Sequence, residues 1–288
     1  MTPDQLDDEA SAGRTCETPL LYGRVLDGKG GGRRIDWDEA QDWTPASDGE
    51  VLWLHLCRNR SGVQDWLEAK LAIPEPTAEL LVSDQTRPRA FREGDTLVAT
   101  LRGINFNPGA EPEDMVSMQL WSDGRRVITL RRLPLQTTRG TLVEIDAGHG
   151  PADAGALITS LTEHMIAHMN TAIIDMNQSI DEMEDTATEC DTVEMLERIA
   201  GIRREALALK RHMSPQHEAL EFISRAAPDW FEAHDRREIA ETIARLSRFL
   251  DDIDISKESA LVLQDDIRAR SAARAERTNS LLTIVATL

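Results

Sequence analysis

Four carboxylates at helical spacing are the first candidates for chemistry in this sequence. Asp251, Asp254, Glu258 and Asp265 follow one another by three, four and seven residues, which sets them on one face of a helix. Like charges one turn apart on an isolated helix are destabilising by roughly 0.2–0.5 kcal/mol per pair. Such a face is either plain solvated surface or, if several copies surround an axis, a wall that attracts cations. Oxygen ligands draw in divalent ions without choosing firmly among them. His164 and His168 lie one helical turn apart, so both imidazoles can address one metal ion. They supply only half of a tetrahedral site, and they border an apolar stripe where a histidine also serves as packing. His212 and His217, on either side of Pro215, form a weaker pair.

Other chemistries find no support. The sequence has no nucleophile elbow, Walker lysine motif, metalloprotease His-Glu pair or dinucleotide fingerprint, so no enzyme and no cofactor is expected. Gly28-Lys29-Gly30-Gly31-Gly32 lacks the Lys-Ser/Thr and helix of a phosphate loop and reads as a hairpin turn. Cys16, Cys57 and Cys190 are scattered without zinc or dithiol spacing, as expected of reduced thiols. A formal net charge of −19 repels nucleic acid phosphates and anionic lipid while enriching cations near the surface. Nucleic acid is therefore excluded as a partner.

The elements that must hold these groups fall into two kinds, and the fold class expected is α+β. Residues 1–19 are acidic and polar and are expected to be disordered. Residues 20–150 carry strand patterns at Leu20–Leu26, Val51–Cys57, Thr96–Phe106, Met115–Trp121 and Arg126–Leu130. Helical patterns lie between them at Trp37–Trp43, Gly62–Leu71 and Pro76–Val82. Both faces of Trp53-Leu54-His55-Leu56 are mostly apolar, which marks an interior strand covered on both sides. A mixed sheet with helices packed on it, in αβα layers, follows.

Residues 151–280 are helical in pattern. One stripe runs through Ile158, Leu161, Met165, Met169, Ala172, Met176, Ile180 and Met183. A second runs through Met195, Ile199, Ile202, Ala206, Leu209 and Met213, a heptad-like seam suited to shallow packing angles. Pro215 is expected to kink or end that helix. The third stripe, Ile239, Ile243, Leu246, Leu250 and Ile253, turns polar in the same register at Lys257 and Gln264. The connection from Asp181 to Glu197 is strongly acidic and reads as an exposed hairpin tip.

Arg268, Arg270, Arg274 and Arg277 precede an apolar run, Leu281 to Leu288. Basic residues before an apolar run mark the cytoplasmic side of a membrane helix. The eight residues 281–288 are too few to span a bilayer, which needs about 20. They read as the start of a first membrane helix, with the alternative of a tail packed on the core.

Several segments together resemble CorA-type divalent metal-ion transporters, in the ZntB-like, zinc-transporting branch. They are Thr86-Arg87-Pro88-Arg89, Leu101-Arg102-Gly103-Ile104-Asn105-Phe106-Asn107-Pro108-Gly109, Asp114 to Trp121, Val127 to Arg132, Ala208 to Gln216 and Arg277 to Val285. The resemblance implies a funnel-shaped cytoplasmic domain with a stalk helix leading into the membrane, and a homo-pentamer around a central pore. It places this stretch on the cytoplasmic side of the cell inner membrane and implies Zn2+ as the bound or transported divalent cation. The family's selectivity loop, a Gly-x-Asn motif after its first membrane helix, is not carried over to any residue here. Under this reading the metal-handling residues are Asp251, Asp254, Glu258, Asp265, His164 and His168. The alternatives are a magnesium or cobalt channel of the same family and a soluble acidic coiled-coil interaction protein.

Overall fold

The computed structural model of the protein describes residues 18–110, 114–186 and 191–287. The expected disordered N-terminus therefore lies almost wholly outside the described residues, as do Glu189 and Cys190 of the acidic connection and Leu288 of the terminal run. Seven strands, β1 (Leu20–Leu26), β2 (Gly32–Arg34), β3 (Val51–Cys57), β4 (Arg89–Glu93), β5 (Thr96–Gly103), β6 (Val116–Ser122) and β7 (Arg126–Arg131), form one sheet in the order β2-β1-β3-β7-β6-β5-β4. Helices α1 (Trp37–Gln41), α2 (Val63–Leu71), α3 (Glu75–Val82) and α4 (Thr137–Asp146) accompany it. Three long helices follow, α5 (Ala154–Thr186), α6 (Thr192–Ala226) and α7 (Ala233–Thr287).

The chain divides into two compact units. The first comprises Met1–Met169 with His212–Ser247, and the second Asn170–Arg211 with Arg248–Leu288. In the first unit β3 and β7 pair in parallel, Leu52 opposite Arg126 through Cys57 opposite Arg131, while the other ladders are antiparallel. Leu52, Leu54 and Leu56 join Val63, Leu67 and Leu81 in one core on the α2–α3 side. Trp53 and His55 point the other way and are equally buried, as alternation on a strand covered on both faces requires. On that second face a Cβ at Gly103 would press on Met165 of α5, and one at Gly32 on Ile145 of α4. The αβα layering expected from the sequence is thus present.

The glycine run is the hairpin turn between β1 and β2. Asp27 closes it by accepting from the backbone of Lys29 (2.8 Å) and Gly31 (3.0 Å), and Gly28 and Gly30 take the positive φ that the turn needs. Two strands and a helix escaped the sequence patterns. β2 and β4 are short and carry Arg33, Arg34, Arg89 and Arg92, with no apolar alternation to reveal them. α4 is rich in threonine, a poor helix former, and is held by burial of Thr138, Leu142 and Ile145. β5 also stops at Gly103, short of the expected Phe106.

Pro215 lies inside α6 and does not end it. Its ring removes one helical hydrogen bond, a penalty of about 3 kcal/mol. Around it Met213, Gln216, Leu220 and Ile223 are buried, and that packing holds the turns in place. Gln216 adds a specific tie. Its side-chain oxygen accepts from the Arg102 backbone N–H (2.6 Å) and its amide donates to the Arg102 carbonyl (2.8 Å), which completes the backbone pairing at the end of β5. Gln216→Leu removes both of these bonds to the Arg102 backbone, each worth about 1–3 kcal/mol when lost from a buried group. The urea midpoint of the first unit is expected to fall by about half a molar or more with an unchanged slope.

The second unit corrects one expectation. The buried face of α7 continues past Ile253 through Ser256, Ala260, Leu263 and Ile267. With Leu246 and Phe249 these residues follow an alternating three-and-four rhythm. The register through Leu250 to Lys257 leads instead to half-exposed positions. Ser256 and Ala260 are too weakly apolar to advertise the true seam. They pack because Ser256 bonds Asn177 of α5 and because alanine permits close approach. The stripes expected on α5 and α6 are buried throughout.

Candidate functional site

The carboxylate row sits on the part of α7 that belongs to the second unit. Asp251, Glu258 and Asp265 are exposed, one every seventh residue. At 1.5 Å per residue they stand about 10 Å apart along the helix. Metal–oxygen bonds are about 2–2.6 Å long, so within one chain no two of these groups share an ion directly. They form a ladder of separate negative charges.

Asp254 behaves differently. Both its oxygens receive the Lys210 ammonium of α6, at 2.7 and 2.5 Å, and Lys257 lies 3.5 Å away. The Lys210 hydrogen bond, more than any other influence, holds the Asp254 carboxyl below its ordinary pKa. Here the carboxylate ties two helices together. Further along the same pair, Arg203 of α6 donates to Gln264 of α7 at 3.0 Å. Sequence reasoning missed Lys210 as a partner, although its place beside the Ala206–Leu209 seam is where interhelical ion pairs form.

The two histidines lie on α5 in the first unit, apart from the carboxylate row in the chain. His164 donates from Nδ1 to the Ser160 carbonyl one turn back (2.9 Å), and its Nε2 lies 3.4 Å from Glu144 of α4. The ring rests on Gly140, where a Cβ would collide with it, which accounts for a glycine inside α4. His168 meets the Phe106 ring edge-on at 5.4 Å. Burial, and then the proximity of His164, push the His168 pKa down. The His164 ring is thus engaged in packing and a local hydrogen bond, and the His168 ring in packing. Among the described residues no three His, Cys, Asp or Glu side chains come together as a metal-binding set. No described helix is long and apolar enough to cross a membrane. Leu281 and Leu282 stand exposed near the end of α7.

The arrangement can therefore attract cations along α7 by charge, without a chelating set among the described residues. Likeness to known proteins runs the same way. The family model described as CorA-like Mg2+ transporter protein matches residues 48–288. The chain is 34% identical over 273 residues to the divalent cation transporter CmaX of Pseudomonas aeruginosa, spanning 93% of this chain and 81% of that one. It is 30% identical over 287 residues to the zinc transport protein ZntB of Pectobacterium carotovorum, with 96% and 84% covered. Among solved structures, full-length CmaX superposes with a TM-score of 0.86 at 33% identity, over 93% of this chain and 82% of that one. The ZntB cytoplasmic domain from Vibrio parahaemolyticus gives 0.78 at 18% identity, over 88% and 99%, a likeness of fold.

Proposed function

Because the chain belongs to the CorA-like Mg2+ transporter family, we propose that it serves zinc transport as the cytoplasmic part of a homo-pentamer in the cell inner membrane. The family is one of ion transporters and not of enzymes, and divalent cations are its cargo. The observation that carries the structural half of the reading is the exposed ladder of Asp251, Glu258 and Asp265. In a pentamer five such ladders, in a protein of net charge −19 per chain, would concentrate divalent cations ahead of the membrane. His164 and His168 take a lesser part, as groups able to meet an ion if the His164 ring leaves Gly140. Asp254 contributes through Lys210 to helix pairing, and its charge is already neutralised.

Zinc as cargo is supported by likeness to the ZntB proteins. One observation favours a second reading, magnesium: the ladder offers only hard carboxylate oxygens and no thiolate or free imidazole. Uptake into vesicles separates the two. Zinc transport is expected to proceed in the presence of a large excess of Mg2+. Uptake of Mg2+ with none of Zn2+ would leave only the magnesium reading.

A further inference from the structure

β3 and β7 are the sheet's one parallel pair, and an arginine follows each of them directly: Arg58 after β3 and Arg132 after β7. In open sheets containing parallel strands, the crevice beyond their carboxyl ends is where ligands collect. A cavity of about 370 Å³ lies here, lined by Arg58, Arg132, Asp84, Thr86, Ser117 and the apolar side chains of Met115, Val116 and Leu133. Its size suits a small organic molecule.

The charges in it are poorly matched. The Arg58 side chain is only 2% exposed, yet among the described residues its one ionic partner is Asp84, a carboxylate 76% exposed. Arg132 reaches the same Asp84 oxygen, Oδ1, which lies 2.9 Å from Arg58 Nη2 and 3.2 Å from Arg132 Nη1. One carboxylate oxygen thus serves two guanidinium groups. Arg58 Nη1 is held by the carbonyls of Val82 and Ser83 at the end of α3, which fixes the plane of the group. On its remaining edge Nη2 meets only Asp84, and Nε, buried, has no partner. That edge is the one that receives an oxyanion through two parallel hydrogen bonds. Burial, more than any other influence, lowers the Arg58 pKa, and the Arg132 charge adds to that. A second negative charge at this place would relieve both.

We propose that this cavity binds a small phosphomonoester. Its phosphate takes the place of the Asp84 carboxylate between Arg58 and Arg132, and its organic part lies against Met115, Val116 and Leu133. A phosphate brings two charges and three terminal oxygens, enough to meet both guanidinium groups where Asp84 offers one oxygen. Thr86 and Ser117 line the same space, the Thr86 hydroxyl accepting from Arg102 Nη2. Asp84 acts as a resident stand-in on the segment after α3, exposed enough to swing outward. This site is independent of the cation ladder on α7.

Calorimetric titration of the chain with adenosine monophosphate, inorganic phosphate and adenosine tests the proposal. The monophosphate is expected to bind about tenfold or more tightly than inorganic phosphate, and adenosine not to bind. Arg132→Gln, at a half-exposed position that leaves the fold intact, should weaken binding by about tenfold or more. Asp84→Asn should strengthen it, since the competing charge is gone. Failure of the monophosphate to bind, equal binding of bare phosphate, parental affinity in Arg132→Gln, or weaker binding in Asp84→Asn would each overturn the proposal.

Discussion

Replacing Asp251, Glu258 and Asp265 together by their amides is expected to lower divalent cation uptake about tenfold at low ionic strength, an order set by Coulomb's law in water. A divalent ion about 8 Å from one carboxylate gains roughly 1 kcal/mol before screening. The groups stand about 10 Å apart, so an ion passes from the field of one to the next. Screening then decides the test. The Debye length falls from about 30 Å at 0.01 M salt to about 3 Å at 1 M, so the deficit should nearly vanish at the upper end. A chelating site behaves otherwise, with one substitution removing stoichiometric binding almost regardless of salt. Uptake unchanged by the triple substitution at low salt would reduce the ladder to solvated surface.

Asp254 supplies the internal control. Its charge is spent on Lys210, so the double variant Asp254→Asn with Lys210→Gln leaves the net charge unchanged and should not reduce cation attraction as the others do. It removes both charges of the pair together, and exposed pairs of this kind contribute little to stability. Its expected signature is looser α6–α7 pairing in the second unit, read as faster amide exchange there. A loss of uptake from the double variant as steep in salt as that from the triple amide would place all four carboxylates in one row after all.

How much of this was legible depended on how strongly each side chain declares its surroundings. β3, the α5 stripe and the α6 seam are built from large apolar residues with clean periodicity, and each stands where the sequence put it. The seam of α7 was misread because Leu250 lies one position from Phe249 and is only half-buried, while Ser256 and Ala260 are fully buried without being strongly apolar. The carboxylate spacing was legible, but not that Asp254 had a partner, because Lys210 comes from a different helix. Arg58 and Arg132 were invisible as a pair for a related reason. Only the parallel register of β3 and β7 brings together two residues 74 positions apart, the separation their numbers give.

The first unit is expected to show two opposed titrations that nearly hide each other. His55 is wholly buried on β3. Its Nδ1 lies 2.8 Å from the Thr129 hydroxyl, which also accepts from the Trp53 indole and donates to the Leu54 carbonyl. With that single hydroxyl proton committed to Leu54, Nδ1 carries the ring proton, and Nε2 is left buried without a partner. Burial, then the Arg131 charge, hold the His55 pKa well below 6.5. The folded state therefore takes up fewer protons than the unfolded chain as pH falls below about 6.5, so stability declines towards acid. His168 acts in the same direction.

Asp235 does the reverse. It accepts from the Glu232 backbone at the start of α7, presses on Gly155, and faces His234, Asp153 and Glu238. Burial raises its pKa to about 6, above the 3.8 of the unfolded chain. The folded state thus binds the proton more tightly, and stability rises as pH falls through 6 towards 3.8. The penalty of holding it charged at neutral pH is about 3 kcal/mol. Asp235→Asn keeps an acceptor for Glu232 and should raise the urea midpoint at pH about 7.5, then expose a steeper loss towards pH 5 driven by His55. His55→Asn, which retains a donor for Thr129, should lower stability throughout but flatten that acid loss. All six tryptophans, Trp37, Trp43, Trp53, Trp66, Trp121 and Trp230, belong to this unit, so their fluorescence follows it alone. A pH profile in Asp235→Asn parallel to that of the parent would show that the buried carboxyl titrates at its ordinary value.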